Sequence, residues 1–104
     1  MIITKSAPFT KEEIRMKNKQ ILGALALDLK RVALGLNRGS NAMAEKFLDE
    51  AIKRRSEIEN AEIKPYLSKF LKNIDNLKKE GGKKSAEDAL MYSTIFQNAS
   101  QKII

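Results

Sequence analysis

The chain has no cysteine, no histidine and no tryptophan, and only 6% of its residues are aromatic. Without cysteine there is no disulfide framework, zinc ribbon or thiol nucleophile. Without histidine the usual general base near neutral pH, the commonest metal ligand and the Ser-His-Asp arrangement all disappear together. A di-iron helical bundle, which needs Glu-x-x-His on paired helices, is excluded on the same ground. The few aromatics leave the core to Leu, Ile, Ala and a few Phe. No apolar run is long either. The most hydrophobic stretch, Ile21 to Leu36, is interrupted by Asp28, Lys30 and Arg31 and falls short of a membrane span. Met1-Ile2-Ile3-Thr4-Lys5 is too short an apolar run for a signal peptide, so the expectation is a cytoplasmic protein without membrane insertion.

What is present is charge and helical periodicity. Charged residues make up 32% of the 104 residues and apolar ones 42%, a balance that supports a globular chain rather than a disordered one. The length suits a single core. Formal net charge is +7, spread over both halves: 12 basic and 8 acidic groups in residues 1–60, 8 and 5 in residues 61–104. A basic tail on a neutral body is therefore excluded. Lys64 to Lys84 is the densest basic stretch, with seven lysines against Asp75 and Glu80.

Residues 1–9 read as a short extended arm ended by Pro8, and residues 10–104 as one helical domain. Thr10-Lys11-Glu12-Glu13 has the form of a capping box, with Phe9 and Ile14 at the positions of a hydrophobic staple. Helix 1 should run from about Lys11 to about Leu36, burying Ile14, Ile21, Leu22, Leu25, Leu29, Val32 and Leu36 on one face. Asn37-Arg38-Gly39-Ser40 supplies the stop, and Ser40 or Asn41 can cap the next helix. Helix 2, about Asn41 to Ile58, points Met43, Ala44, Phe47, Leu48, Ala51 and Ile52 inward. Its outer side offers the i,i+4 pairs Lys46–Glu50, Asp49–Lys53, Glu50–Arg54 and Lys53–Glu57.

Pro65 marks the next break, because proline fits only the first turn of a helix. Helix 3 should start between Glu62 and Pro65 and continue to about Lys79, with Leu67, Phe70, Leu71, Ile74 and Leu77 inward. Glu80-Gly81-Gly82-Lys83-Lys84 reads as a connector. Ser85 reads as the cap of helix 4, which runs to about Lys102 with Ala89, Tyr92, Phe96, Ala99 and Ile103 inward. The short connections imply an all-α, antiparallel, up-down-up-down four-helix bundle with a long first helix.

Three features stand out as candidate sites. On helix 1, Met16, Gly23, Leu27 and Leu34 are spaced 7, 4 and 7 apart and lie well round from the main apolar stripe. An amphipathic helix in a monomeric bundle needs only one apolar face, so the second face suggests either that helix 1 is central or that its rear side meets a partner, a homodimer being the simplest form. The alternative is that the arm, with Ile2 and Ile3, folds back over it. Helix 1, at about 26 residues, should also overhang its neighbours by roughly 10 Å, leaving Lys11, Arg15, Lys17 and Lys19 for solvent or a partner.

On helix 3, Lys69, Lys72, Asn76 and Lys79 follow one face opposite the apolar stripe, and Lys83 and Lys84 extend the charge. Such a row can track phosphates without reading bases. The aromatics fall mostly on core faces, however, leaving Tyr66 as the one candidate for base stacking. A lysine-rich outer face also serves solubility alone. Finally, Arg55 falls on the inward side of helix 2. It either reaches round to the helix C-terminus or pairs with Asp28. The carboxylate clusters sit at helix starts and on mixed-charge faces, and Gly81-Gly82 lacks the spacing of a phosphate loop. No catalytic, cofactor-binding, metal or small-molecule site is expected. The sequence favours a non-enzymatic interaction module acting through helix 1, with nucleic-acid backbone binding by the lysine face as the rival.

Overall fold

A computed structural model describes residues 10–77 and 82–103. Among these residues the chain is all-helical, and its helices pack against one another. They are α1 (Lys11–Asn37), α2 (Asn41–Arg55), α3 (Pro65–Asn73) and α4 (Gly82–Lys102), with one 3₁₀ turn at Asn60–Glu62.

The start of α1 follows the capping box closely. The Thr10 amide donates to Glu13 Oε1 at 2.9 Å, and the Glu13 amide donates to Thr10 Oγ1 at 3.1 Å, so two otherwise unsatisfied donors are met reciprocally. Phe9, the outer half of the staple, lies outside the described residues. At the other end Gly39 takes a left-handed conformation with φ of +74°. The Ser40 amide then reaches back to the Gly35 carbonyl, and the Gly39 amide to Leu36. This pair of bonds is a Schellman closure. Ser40 Oγ in turn accepts from the Met43 amide at 3.3 Å and caps α2. Gly35 is needed for a different reason: a Cβ there would stand 2.8 Å from the Ala44 nitrogen, so this turn closes only with no side chain.

α1 supplies the centre of the core. Leu22, Leu25, Leu29 and Val32 are fully buried, together with Ala51 of α2, Ile74, and Ala89 and Phe96 of α4. Each large apolar side chain so buried contributes about 1.5–3 kcal/mol. α4 lies against α1 through small residues. Ser93 Oγ donates to the Ala26 carbonyl at 2.7 Å and Ser100 Oγ to the Lys19 carbonyl at 2.8 Å. These pairs descend α1 as they ascend α4.

The third helix departs from expectation. It ends at Asn73 rather than near Lys79, and residues 74–75 form a turn before helical residues resume at 76–77. Arg55 accounts for the break. Its guanidinium donates to the Leu71 carbonyl at 3.0 Å and pairs with Asp75 at 3.1 Å. The Leu71 carbonyl is the acceptor that an unbroken helix would offer the Asp75 amide, which bonds to Lys72 instead. A side chain inserted into the ladder in this way ends or kinks a helix.

Arg55 is therefore not the partner of Asp28. That role falls to Arg54, whose Nε lies 2.6 Å from Asp28 Oδ2. The same contact draws Arg54 away from Glu50, which meets Lys53 at 3.8 Å one residue short of the expected spacing. Nor is Ser85 a cap. α4 already begins at Gly82, and Ser85 is buried inside it, donating to the Leu77 carbonyl at 3.2 Å. The hydroxyl ties the start of α4 to the end of the preceding segment, a role its local sequence does not announce.

Candidate functional site: the outer surface of α1 and α4

Each candidate residue has a definite place, except Lys79, which lies outside the described residues. Met16, Leu27 and Leu34 are 46%, 47% and 41% exposed, large apolar side chains in water on the side of α1 away from the core. The fourth, Gly23, is half-buried, and a Cβ there would lie 3.4 Å from Ser100 Oγ of α4. This position therefore faces α4 at van der Waals distance rather than open water. The arm proposed as a cover for this row lies outside the described residues.

The row does not stop at α1. Leu27 lines a groove of about 430 Å³ with Lys30 on one wall, and with Leu90, Ser93, Thr94, Gln97 and Asn98 of α4 on the other. Leu90 and its neighbour Met91 are 49% and 47% exposed. Leu27 and Leu90 thus flank a single depression.

The basic end of α1 is less free than its sequence suggests. Arg15 pairs with Glu62 at 3.0 Å. Lys19 Nζ donates to the carbonyls of Ser100 and Ile103 at 2.8 and 3.1 Å, placing a cation at the C-terminal end of α4, where the helix dipole favours one. Asn18, which sequence reasoning passed over, is fully buried. Its side chain donates to the Glu59 carbonyl and accepts from the Glu59 amide, both at 3.0 Å. Together with the Arg15–Glu62 pair, this amide docks the α2–α3 connection onto α1. A polar residue falling in phase with Ile21, Leu22 and Leu25 was the available signal.

The lysine row is divided. Lys69 and Lys72 are exposed on α3, a turn at residues 74–75 separates them from Asn76, and Lys79 lies outside the described residues. Lys83 and Lys84 belong to the first turn of α4, where Lys84 meets Asp88 at 3.3 Å. Tyr66 is exposed, with its ring edge-on to Phe70 at 6.5 Å between centroids.

A larger cavity, about 540 Å³, opens between the α2–α3 connection and the ends of α1 and α4. Arg15, Glu62, Lys64, Tyr66 and Lys102 stand among its apolar walls. Among the described residues no three carboxylates converge as metal ligands would, and no helix is long and apolar enough to cross a membrane.

From Ala89 to Gln101 there is no charged residue, in a chain that is 32% charged. Leu90, Met91, Thr94, Gln97, Asn98 and Gln101 of that stretch are exposed. Comparison with known protein families, with curated proteins and with solved structures finds no match to this chain.

Proposed function

We propose that this protein is a non-enzymatic interaction module that self-associates, or docks into a larger assembly, through α1. In this reading the chain is an antiparallel up-down-up-down bundle acting in the cytoplasm. The opposite order of the paired residues on α1 and α4 supports that topology. The observation that carries the function is the exposed row Met16, Leu27 and Leu34 on a helix whose other side already fills the core. Exposed leucine and methionine that share one helix face support a surface that a partner covers.

The test is mass in solution, by sedimentation over a range of concentrations. The intact chain should sediment above 11.7 kDa as concentration rises. Leu27→Gln with Leu34→Gln should return it to the monomer mass with unchanged helicity by circular dichroism. Unchanged mass in that variant would remove α1 from the contact.

The rival reading is a backbone binder of RNA or DNA, supported by the exposure of Lys69 and Lys72. Salt separates the two by sign. Screening weakens phosphate binding steeply, whereas it relieves repulsion between two copies each carrying +7 and so favours their association. Lys69→Gln with Lys72→Gln should weaken nucleic-acid binding for every sequence tested if the rival holds, and an intact chain that binds no nucleic acid even at low salt removes it.

A further inference from the structure

We infer that the contact between copies is made by the uncharged outer face of α4 together with the Leu27 edge of α1, in a two-fold arrangement that sets α4 against α4. This rests on the self-association proposed above and names the surface and the occupant, a second copy of this chain.

Three observations lead to it. The first is the run of thirteen residues from Ala89 to Gln101 without a charge, while the outer side of a soluble helix normally carries Lys, Glu or Arg. The inner half of this run is accounted for: Ala89, Tyr92, Phe96 and Ala99 are in the core, and Ser93 and Ser100 bond to α1. The outer half, Leu90, Met91, Thr94, Gln97, Asn98 and Gln101, is exposed and has no such account.

The second observation is electrostatic. A chain of net charge +7 repels its own copies wherever lysines would face lysines. The outer side of Ala89 to Gln101 is a surface on which two copies can meet without like charges facing each other, and Lys30 is the one charged residue on the groove beside it.

The third is hydrogen-bonding chemistry. At a two-fold contact residue i meets residue j and j meets i, so the surface as a whole must be complementary to itself, and groups on the axis face their own copies. On the axis an ammonium or a carboxylate would face its own like charge. The amides of Gln97, Asn98 and Gln101 both donate and accept and so can pair with their own counterparts, while Thr94 Oγ1, which donates to the Leu90 carbonyl at 3.1 Å, can still accept. Leu90 and Leu27, flanking one groove, supply the apolar centre that such a contact needs.

The experiment adds the same two units of positive charge at two different places. Leu90→Lys with Gln97→Lys puts them on the outer face of α4. Glu45→Gln with Asp49→Asn does so on the exposed side of α2. Sedimentation of both variants and of the intact chain is compared at matched salt, with circular dichroism to verify helicity. The expected result is a dissociation constant raised at least tenfold in the α4 variant and changed less than threefold in the α2 variant. If the intact chain associates and the α4 variant associates equally well, the α4 surface is wrong while self-association stands. Equal weakening in both variants would mean general repulsion and would also overturn the α4 surface. An intact chain that stays monomeric at every concentration and salt removes both this inference and the reading beneath it.

Discussion

α2 and α4 both lie against α1, yet their outer sides are opposites. Within α2, seven of fifteen residues are charged, and Glu45, Lys46, Asp49 and Lys53 stand in solvent. Across Ala89 to Gln101 none is charged, and leucine, methionine, threonine and amides stand in solvent instead. The inner sides are alike in kind: Ala44, Leu48 and Ala51 on α2, Ala89, Tyr92, Phe96 and Ala99 on α4. Folding constrains only the side that packs. It demands small and apolar residues there and leaves the outer side to whatever keeps the chain soluble or lets it bind. α2 carries the composition that water requires. Ala89 to Gln101 of α4 does not, and that difference is what supports the contact surface proposed above.

The comparison can be broken most severely from inside. Phe96→Ala on the buried side of α4 should cost about 3–5 kcal/mol in denaturant unfolding, as removal of a fully buried ring does. For a domain of this size that is a large share of its total stability. A loss below about 1 kcal/mol would show that α4 is not seated on α1 as described.

A smaller effect separates two neighbouring cations of α2. Arg54→Ala should cost roughly 2 kcal/mol, because it leaves the buried Asp28 carboxylate without its partner. The Arg54 side chain is itself 40% exposed, so water recovers part of the loss. Lys53→Ala removes only the exposed contact with Glu50, worth about 0–1 kcal/mol. Thermal unfolding of the two variants side by side should rank them in that order, and an inverted order would break the account of Asp28.

The smallest change in stability sharpens the contrast furthest. Lys46→Gln with Lys53→Gln on α2, and Leu90→Gln with Met91→Gln on α4, should each alter the stability of the monomer by about 0.5 kcal/mol or less. Only the second pair should lower the mass in solution. If neither pair moves it, the two outer faces differ in composition alone.

How much of this could be read from the chain depends on the range of the interaction. The start of α1 was legible because Thr10 and Glu13 solve a problem three residues wide. The turn after it was legible because only a residue such as Gly39 enters the left-handed region cheaply. The main apolar stripe of α1 followed from periodicity, and Leu22, Leu25, Leu29 and Val32 are buried accordingly. So too was the second row at Met16, Leu27 and Leu34, whose exposure periodicity anticipated. Gly23 belonged to that row by angle alone, and only the approach of Ser100 gives it a different role.

The amino-acid sequence by itself determined that the chain is helical, where α1 starts and stops, and which side of α1 faces inward. Those are consequences of local hydrogen-bond closure and of a repeat set by the geometry of one helix. Only the tertiary structure decided which of two adjacent arginines meets Asp28, that Arg55 takes the Leu71 carbonyl and ends α3, that Ser85 ties α4 back to Leu77, and that Asn18 holds the α2–α3 connection. Each of these joins groups 8 to 41 residues apart. A side chain's own neighbours in sequence carry no record of which carbonyl or carboxylate packing will bring within hydrogen-bond distance of it. Packing likewise set Leu27 of one helix beside Leu90 of another, turning two isolated surface leucines into the edges of one groove.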